Sequence, residues 1–244
     1  KIYLIEPNMV LGRANKFFLH FAKKLICYSK DLINLPKKFE QKKTIIMPLI
    51  RKNYYDTDIC NNESSYFSII IIGGSQGAKI FDTLINEILI KISKKITLKI
   101  AHQTSEKNTE FLEKFYKENK IENKVFTFDD NLNKLLKQSH LCITRAGASS
   151  LAELSLLKLP FISIPLPTSK DNHQYENAKY YKDNGCCWIV DQENFDKQKF
   201  EELLIKLSTK KDEYLIKKRN LEKLNYQNTW NNVNQKLLEI FNEN

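Results

Sequence analysis

Apolar positions in this chain fall into two alternating patterns, short solid runs and runs spaced three and four apart. A short solid run is the mark of a strand covered on both faces, and the wider spacing marks one face of a helix. The clearest run is 66–72, which ends in four consecutive isoleucines. A glycine-rich turn follows (Gly73, Gly74, Gly77), then a helical pattern through Ile80, Phe81, Leu84, Ile85, Ile88, Leu89 and Ile92. From there strands are predicted at 96–101, 125–128, 141–144, 160–164 and 186–190. Helices are predicted at 106–119, from 132, at 149–157 and at 172–184, the last stopped by Gly185. In the 106–119 helix the spacing turns Phe111, Leu112, Phe115 and Tyr116 inward. About six strands alternating with helices imply an α/β fold with a parallel sheet and right-handed crossovers. Strand, glycine turn and helix in succession open a Rossmann-like unit. Helices near 196–208 and 210–224 come next, then an amphipathic one through Trp230, Val233, Leu237, Leu238 and Phe241.

The first fifty residues are a smaller version of the same alternation. Strands are predicted at 1–5, 25–28 and 44–47, with breaks at Pro36 and Pro48. Between the first two lie the Glu6-Pro7-Asn8 loop and a helix carrying Ala14, Phe17, Phe18, Phe21 and Ala22, whose aromatics are expected in a core. Residues 53–65 are polar and read as a surface linker or loop.

Length and charge narrow the picture. The 244 residues, 42% hydrophobic, suffice for one large or two unequal domains. The net charge of +10 would suit nucleic acid or an anionic membrane. The excess is scattered lysine, without an arginine stripe or an RNA-binding aromatic signature, so no nucleic-acid partner is expected. Cys27, Cys60, Cys142, Cys186 and Cys187 are odd in number and contain no C-x-x-C pair, which fits reduced thiols. His20, His102, His140 and His173 lack metal-ligand spacing, so neither metal nor cofactor is predicted. No run of residues is long and apolar enough for a membrane span.

Parallel sheets of this kind bind ligands at the carboxyl ends of their strands. The loops there are 73–77, 102–105, 128–130, 145–150 and 165–174, and they hold most of the unusual polar residues. In one of them Arg145-Ala146-Gly147 turns into a helix that Ser149 and Ser150 are expected to open. A helix N-terminus presents unpaired N–H groups and partial positive charge, which suits a phosphate. Arg145 adds a cation, and Glu153, one turn further on, has a carboxylate able to accept from sugar hydroxyls. These residues suit a diphosphate-sugar site, and they also read as a plain capped helix after a buried strand. The glycine turn matches neither G-x-G-x-x-G nor the Walker motif. Asp129-Asp130 reads as a carboxylate pair or as a helix cap, and spacing alone picks out no Ser-His-Asp or Cys-His set.

Four motifs in order carry a resemblance: Gly73-Gly74-Ser75-Gln76-Gly77-Ala78, His102-Gln103-Thr104, Arg145 through Glu153, and Asp171-Asn172-His173-Gln174-Tyr175. Together they resemble the MurG family, bacterial transferases that move N-acetylglucosamine from UDP-N-acetylglucosamine onto lipid-linked muramyl-pentapeptide in peptidoglycan synthesis. The resemblance implies a GT-B fold, two Rossmann-like domains about a cleft. Residues 1–50 would be the end of the N-terminal domain, 51–225 the UDP-sugar domain, and 226–244 a helix returning to the N-terminal domain. It implies that Ser75 meets the diphosphate and that Ala148, Ser149, Ser150, Leu151, Ala152 and Glu153 hold α-phosphate and ribose. Gln174 would hold sugar hydroxyls, Asn8 would lie near the donor sugar, and Arg51 would be the arginine after the interdomain turn. Arg51 and Arg145 would be candidate cations for the departing diphosphate, and uracil would be read at Asp129, preceded by Phe128.

Two family stretches differ here, as Ile5-Glu6-Pro7-Asn8 and Met47-Pro48-Leu49-Ile50-Arg51. The family's N-terminal glycine-rich loop, with its proposed catalytic base, has no counterpart in these residues, so the chain is expected to be a piece of a longer parent and poorly active alone. The implied partners are UDP-N-acetylglucosamine, the lipid-linked acceptor and an anionic membrane surface, at the cytoplasmic side of the bacterial inner membrane. The alternatives are another GT-B enzyme making a glycolipid from a UDP-sugar and a stand-alone donor-binding subunit of a split transferase.

Overall fold

A computed structural model describes residues 1–56, 65–73 and 79–243. Two parallel sheets organise them. The small sheet runs β1 (Tyr3–Glu6), β2 (Lys24–Cys27), β3 (Lys43–Ile45) in that spatial order. The large sheet contains β4 (Phe67–Ile72), β5 (Leu98–Gln103), β6 (Glu122–Phe126), β7 (Leu141–Thr144), β8 (Phe161–Ser163) and β9 (Cys187–Ile189). Their spatial order is β6-β5-β4-β7-β8-β9, which is the doubly wound Rossmann order. The chain leaves β4 first toward β5 and later returns on the other side to β7, so a crevice opens at the carboxyl ends of β4 and β7.

The four isoleucines of β4 explain why this strand is central. Ile69 and Ile71 point to one face with Phe81, Ile88, Leu89 and Leu204, while Ile70 and Ile72 point to the other with Leu151, Leu154, Tyr181 and Leu221. Each is at most 6% exposed, and burying one such side chain contributes roughly 2 kcal/mol. Helices cover both faces: α3 (Asn86–Ser93), α4 (Thr109–Glu118), α5 (Leu132–Lys137), α6 (Ala148–Leu156), α7 (His173–Asp183), α8 (Lys197–Thr209) and α9 (Lys211–Leu224). A wide π turn, Phe81–Ile85, precedes α3. Gly185 stops α7 at φ +69°, and a Cβ there would meet Asn220 Nδ2 at 2.6 Å.

Two chain segments pass between the sheets. One contains a single helical turn, α2 (Lys52–Tyr55). The other leads into α10 (Trp230–Asn242), which packs Ile240 against Ile26 and Ile46 of the small-sheet side. Phe241 meets Tyr3 edge to face at 5.0 Å, and Glu243 pairs with Lys24 at 2.8 Å. The two crossings also hold each other, because Tyr55 donates its hydroxyl to Asn228 Oδ1 at 3.0 Å and packs its ring on Trp230.

Several sequence expectations need correction. The first helix, α1, covers only Arg13–Phe18, and Phe17, Phe18 and Phe21 are 69%, 47% and 67% exposed rather than in a core. Leu11, Leu19, Leu25, Leu32 and Phe39 fill that core instead. Phe111 is likewise exposed, because the inward face of α4 is centred on Leu112 and Tyr116. Of the stretch 53–65 read as a polar linker or loop, residues 53–55 belong to a helical turn with Tyr54 buried, and residues 57–64 lie outside the described residues. Neither serine caps α6: the helix starts at Ala148 with Gly147 as its N-cap, which puts Glu153 in the second turn.

Candidate functional site

The site is built at the ends of β7 and β8. Gly147 caps α6 in an extended conformation, without a side-chain hydrogen bond, and the first turn carries no acid. The N–H groups of a helix's first turn have no intrahelical acceptor, so this end keeps its partial positive charge unneutralised by any acid of its own. Ser149 is exposed and Ser150 half-buried, whereas Leu151 and Ala152 are buried in the core and have only backbone to offer. Arg145 is half-buried, and burial lowers the pKa of its guanidinium. Its Nη1 donates to the carbonyls of Ile164 (2.9 Å) and Pro165 (3.4 Å), and its guanidinium lies over the Phe81 ring. Arg145 therefore ties the β7 and β8 ends together at the site.

Gln174, in the first turn of α7, does similar work. Its Oε1 accepts from the Leu166 N–H at 3.0 Å and the Ala146 N–H at 3.4 Å. The side-chain carbonyl thus clips two loops together, which orients its amide group as a donor. Just before it, Asp171 and Asn172 hold left-handed backbone at φ 52° and 55°. Asp and Asn are the non-glycine types that tolerate this conformation best, at a cost on the order of 1 kcal/mol each.

The small-sheet side supplies the opposite wall. Glu6 is 2% exposed and organises its loop, accepting from Asn8 N (3.1 Å), Asn8 Nδ2 (3.0 Å), Gly12 N (2.6 Å) and Asn15 Nδ2 (2.9 Å). Asn8 in turn accepts from Asn177 Nδ2 at 3.0 Å, while Asn177 Oδ1 accepts from the Met9 N–H at 2.9 Å. The same Asn177 amide donates to the Ala146 carbonyl at 3.1 Å, so one buried side chain of α7 stitches both sheets to the Arg145 turn. Arg51 donates Nη2 to Glu153 Oε1 at 3.1 Å and to the Tyr54 hydroxyl at 2.8 Å. Partial burial lowers the pKa of Arg51, but Tyr54 and Glu153 outweigh it and the net shift is upward. Burial, then the Glu153 charge, pushes the Tyr54 phenol well up.

The His102-Gln103-Thr104 motif lies over a buried polar network. Asp82 Oδ2 accepts from Thr104 Oγ1 (2.9 Å) and Asn108 Nδ2 (2.7 Å), and its Oδ1 is 3.2 Å from His102 Nε2. His102 Nδ1 lies 2.7 Å from the Tyr116 hydroxyl, which donates to Asn86 Oδ1 at 2.7 Å. Burial would raise the Asp82 pKa, but hydrogen bonds from His102, Asn108 and Thr104 outweigh it and hold the carboxyl below its usual range.

Of the residues singled out from sequence, Asn8, Arg51, Arg145, Ala148 through Glu153 and Gln174 lie around the β7 and β8 ends, linked by the contacts above. Ser75 lies outside the described residues. Phe128 and Asp129 follow β6 at the far edge of the sheet. Phe128 is 72% exposed. The Asp129 carboxylate accepts from Lys124 Nζ (2.6 Å) and from the Asn131 N–H (2.8 Å), which lowers its pKa and makes it a turn former before α5. Sequence reasoning missed Arg13, Tyr54, Asp82 and Asn177. Asn177 had a usable signal, because it falls three residues after Gln174 on one helix face.

Comparison with known proteins fits this geometry. Residues 68–233 match the model of the glycosyltransferase family 28 C-terminal domain. All 244 residues align at 46% identity with a Pelagibacter ubique protein, covering 68% of its length. That protein is named UDP-N-acetylglucosamine–N-acetylmuramyl-(pentapeptide) pyrophosphoryl-undecaprenol N-acetylglucosamine transferase. The chain belongs to this family of transferases. A Rickettsia bellii relative of the same name is 36% identical over 213 residues, 84% of this chain and 60% of that one. The chain thus spans about two thirds of the length of these MurG relatives. The fold is that of the GT-B glycosyltransferases. The Acinetobacter baumannii MurG crystal structure superposes with a TM-score of 0.77 at 22% identity, over 98% of this chain and 66% of that one. Anabaena HepE, solved with UDP and glucose, matches at a TM-score of 0.62 and 10% identity, covering 99% of this chain and 71% of that one, a likeness of fold alone.

Proposed function

We propose that this chain supplies the donor half of a transferase that moves N-acetylglucosamine from UDP-N-acetylglucosamine to undecaprenyl-pyrophosphoryl-N-acetylmuramyl-pentapeptide. The observation that carries the reading is the convergence at one crevice of an acid-free helix N-terminus with no side-chain cap bond, the Glu153 carboxylate held by Arg51, and the clipped Gln174 amide. The α6 N–H groups take the diphosphate, Glu153 accepts from ribose hydroxyls, and Gln174 donates to the sugar. In the reaction the muramyl 4-hydroxyl attacks the anomeric carbon, the bond to UDP breaks with inversion, and negative charge grows on the β-phosphate. Fixed N–H dipoles aimed at that charge lower the barrier. Moving the hydroxyl proton needs a general base, a role that the family resemblance gives to an N-terminal glycine-rich loop.

Calorimetry with UDP-N-acetylglucosamine, UDP-glucose and UDP tests the donor reading. Binding of the first in preference to the second is expected. A folded protein giving no heat with any of them would overturn it, and preference for UDP-glucose would favour a different glycolipid synthase.

The acceptor's lipid places the work at a membrane surface, on the cytoplasmic side. Phe17, Phe18 and Phe21 are exposed, as is Lys16 on helix α1 with the first two, a pairing of aromatic and basic side chains suited to anionic lipid. No helix of the described residues is long and apolar enough to cross a membrane. Cosedimentation with anionic vesicles is expected for the native chain and lost in the Phe17→Ser/Phe18→Ser variant. Equal binding by both would remove this surface from the proposal.

A further inference from the structure

Among the described residues, Asp171 and Asn172 are the only consecutive pair of non-glycine residues at positive φ. They stand directly before α7, two residues from Gln174. Local bonds brace the turn: the Asn172 N–H donates to the Ser169 carbonyl at 3.0 Å, and His173 Nδ1 lies 2.7 Å from the Lys170 carbonyl. The remaining grip comes from the other side of the crevice. Arg13 donates Nε to Asp171 Oδ2 at 3.0 Å and Nη2 to Asp171 Oδ1 at 2.9 Å, a bidentate fork between residues 158 apart in sequence.

Arg13 is well placed to grip. It opens α1, and the preceding Gly12 is pinned by its N–H bond to buried Glu6. A fork of two parallel N–H bonds fixes the plane of the carboxylate as well as its distance. The pair is open to solvent, with the arginine side chain 74% and the aspartate 35% exposed, so salt screens it. Lys16 and His173 also face Asp171 and act in the same sense as Arg13. Asn177, by contrast, forms a buried link between the same two walls, with Asn8 and Met9. Among the described residues the walls are therefore joined both by a buried link and by one that ionic strength can loosen.

We propose that Arg13 is a positioning residue for the sugar end of the donor site: its fork holds Asp171-Asn172 in the left-handed turn that sets Gln174, so that sugar recognition depends on a salt-sensitive contact across the crevice. The consequence for sugar binding rests on the UDP-N-acetylglucosamine reading above. The mechanical part does not.

The test uses the full chain, native and as Arg13→Met, Arg13→Lys and Asp171→Asn. The last keeps a residue type suited to positive φ while removing the charge. Amide exchange of residues 168–175 is measured without ligand, and affinity for UDP and for UDP-N-acetylglucosamine at low and high sodium chloride. In Arg13→Met and Asp171→Asn, loop exchange is expected to rise about fivefold, the size of a well-formed exposed pair. Affinity for UDP-N-acetylglucosamine should fall by a similar factor while UDP is held as before. Arg13→Lys, with a single contact point, should fall between. High salt should bring the native chain to the Arg13→Met level. Unchanged loop exchange in Arg13→Met overturns the proposal, and so does equal loss of UDP and UDP-sugar affinity. If the native chain binds no UDP-sugar, the donor reading falls and the exchange result alone decides the latch.

Discussion

Two polar constructions flank this crevice, and they are opposites. The Asp82 network is buried: Asp82 is 7% exposed, His102 and Tyr116 are fully buried, and the group is joined by hydrogen bonds of 2.7 to 2.9 Å, with Asp82 Oδ1 3.2 Å from His102 Nε2. The Arg13–Asp171 and Arg51–Glu153 pairs are open, with arginine side chains 74% and 56% exposed. A buried charge without partners costs several kcal/mol, so the bonds that Thr104 and Asn108 give Asp82 make the network behave as part of the core. An exposed pair contributes little to stability, because water competes for each partner and salt screens what remains. The open pairs instead select geometry, since each joins a residue of the small-sheet side or the crossing segment to the large-sheet side. The molecule puts rigidity beneath the site and adjustability across it.

The strongest way to break that contrast is to remove the centre of the buried group. Asp82→Ala leaves Thr104, Asn108 and His102 facing an apolar gap and is expected to cost about 3 kcal/mol in urea or thermal unfolding. A loss under about 1 kcal/mol would mean the network is not a structural unit. A related effect appears with pH. The Asp82 carboxyl is held below its unfolded value, so its stabilisation is complete above the ordinary carboxylate range and lost as pH falls through the lower folded value. The stability gap between native and Asp82→Asn protein should therefore be widest near neutrality and close as pH falls below the ordinary carboxylate range. A gap that widened on acidification would refute the assignment. The smallest effect belongs to the open side. Arg51→Met should change unfolding free energy by less than about 1 kcal/mol. The same substitution should weaken UDP-N-acetylglucosamine binding several-fold by freeing Glu153, as read by calorimetry. A large stability loss with unchanged binding would reverse the roles assigned to the two constructions.

These particulars also show what could be read early. The isoleucine run and the alternation after it were enough to specify a parallel sheet, because strands covered on both faces must be apolar throughout. The Arg145 stretch was legible as an anion-friendly turn for a similar reason, since a strand leading into a helix start has a known geometry. The aromatics of the first helix misled. Periodicity shows that Phe17, Phe18 and Phe21 share a face, but not whether that face is covered. The serines misled too: Ser149 and Ser150 are good capping types, yet Gly147 takes the cap and leaves them inside the helix.

The parallel sheet and the succession of its strands were thus legible in the chain alone. These follow from short-range periodicity and from the chirality of crossovers. Which residues of the site face one another follows from packing across the crevice. Nothing local in the chain announces that Arg13 meets Asp171, that Arg51 takes Glu153, or that Asn177 stitches Asn8 to the Arg145 turn. Such pairings depend on how two sheets are held by two crossing segments, a long-range geometry set by the packing of Tyr55 on Trp230 and of α10 on the small sheet. Side chains on either side of a crevice meet only once that packing has fixed its width.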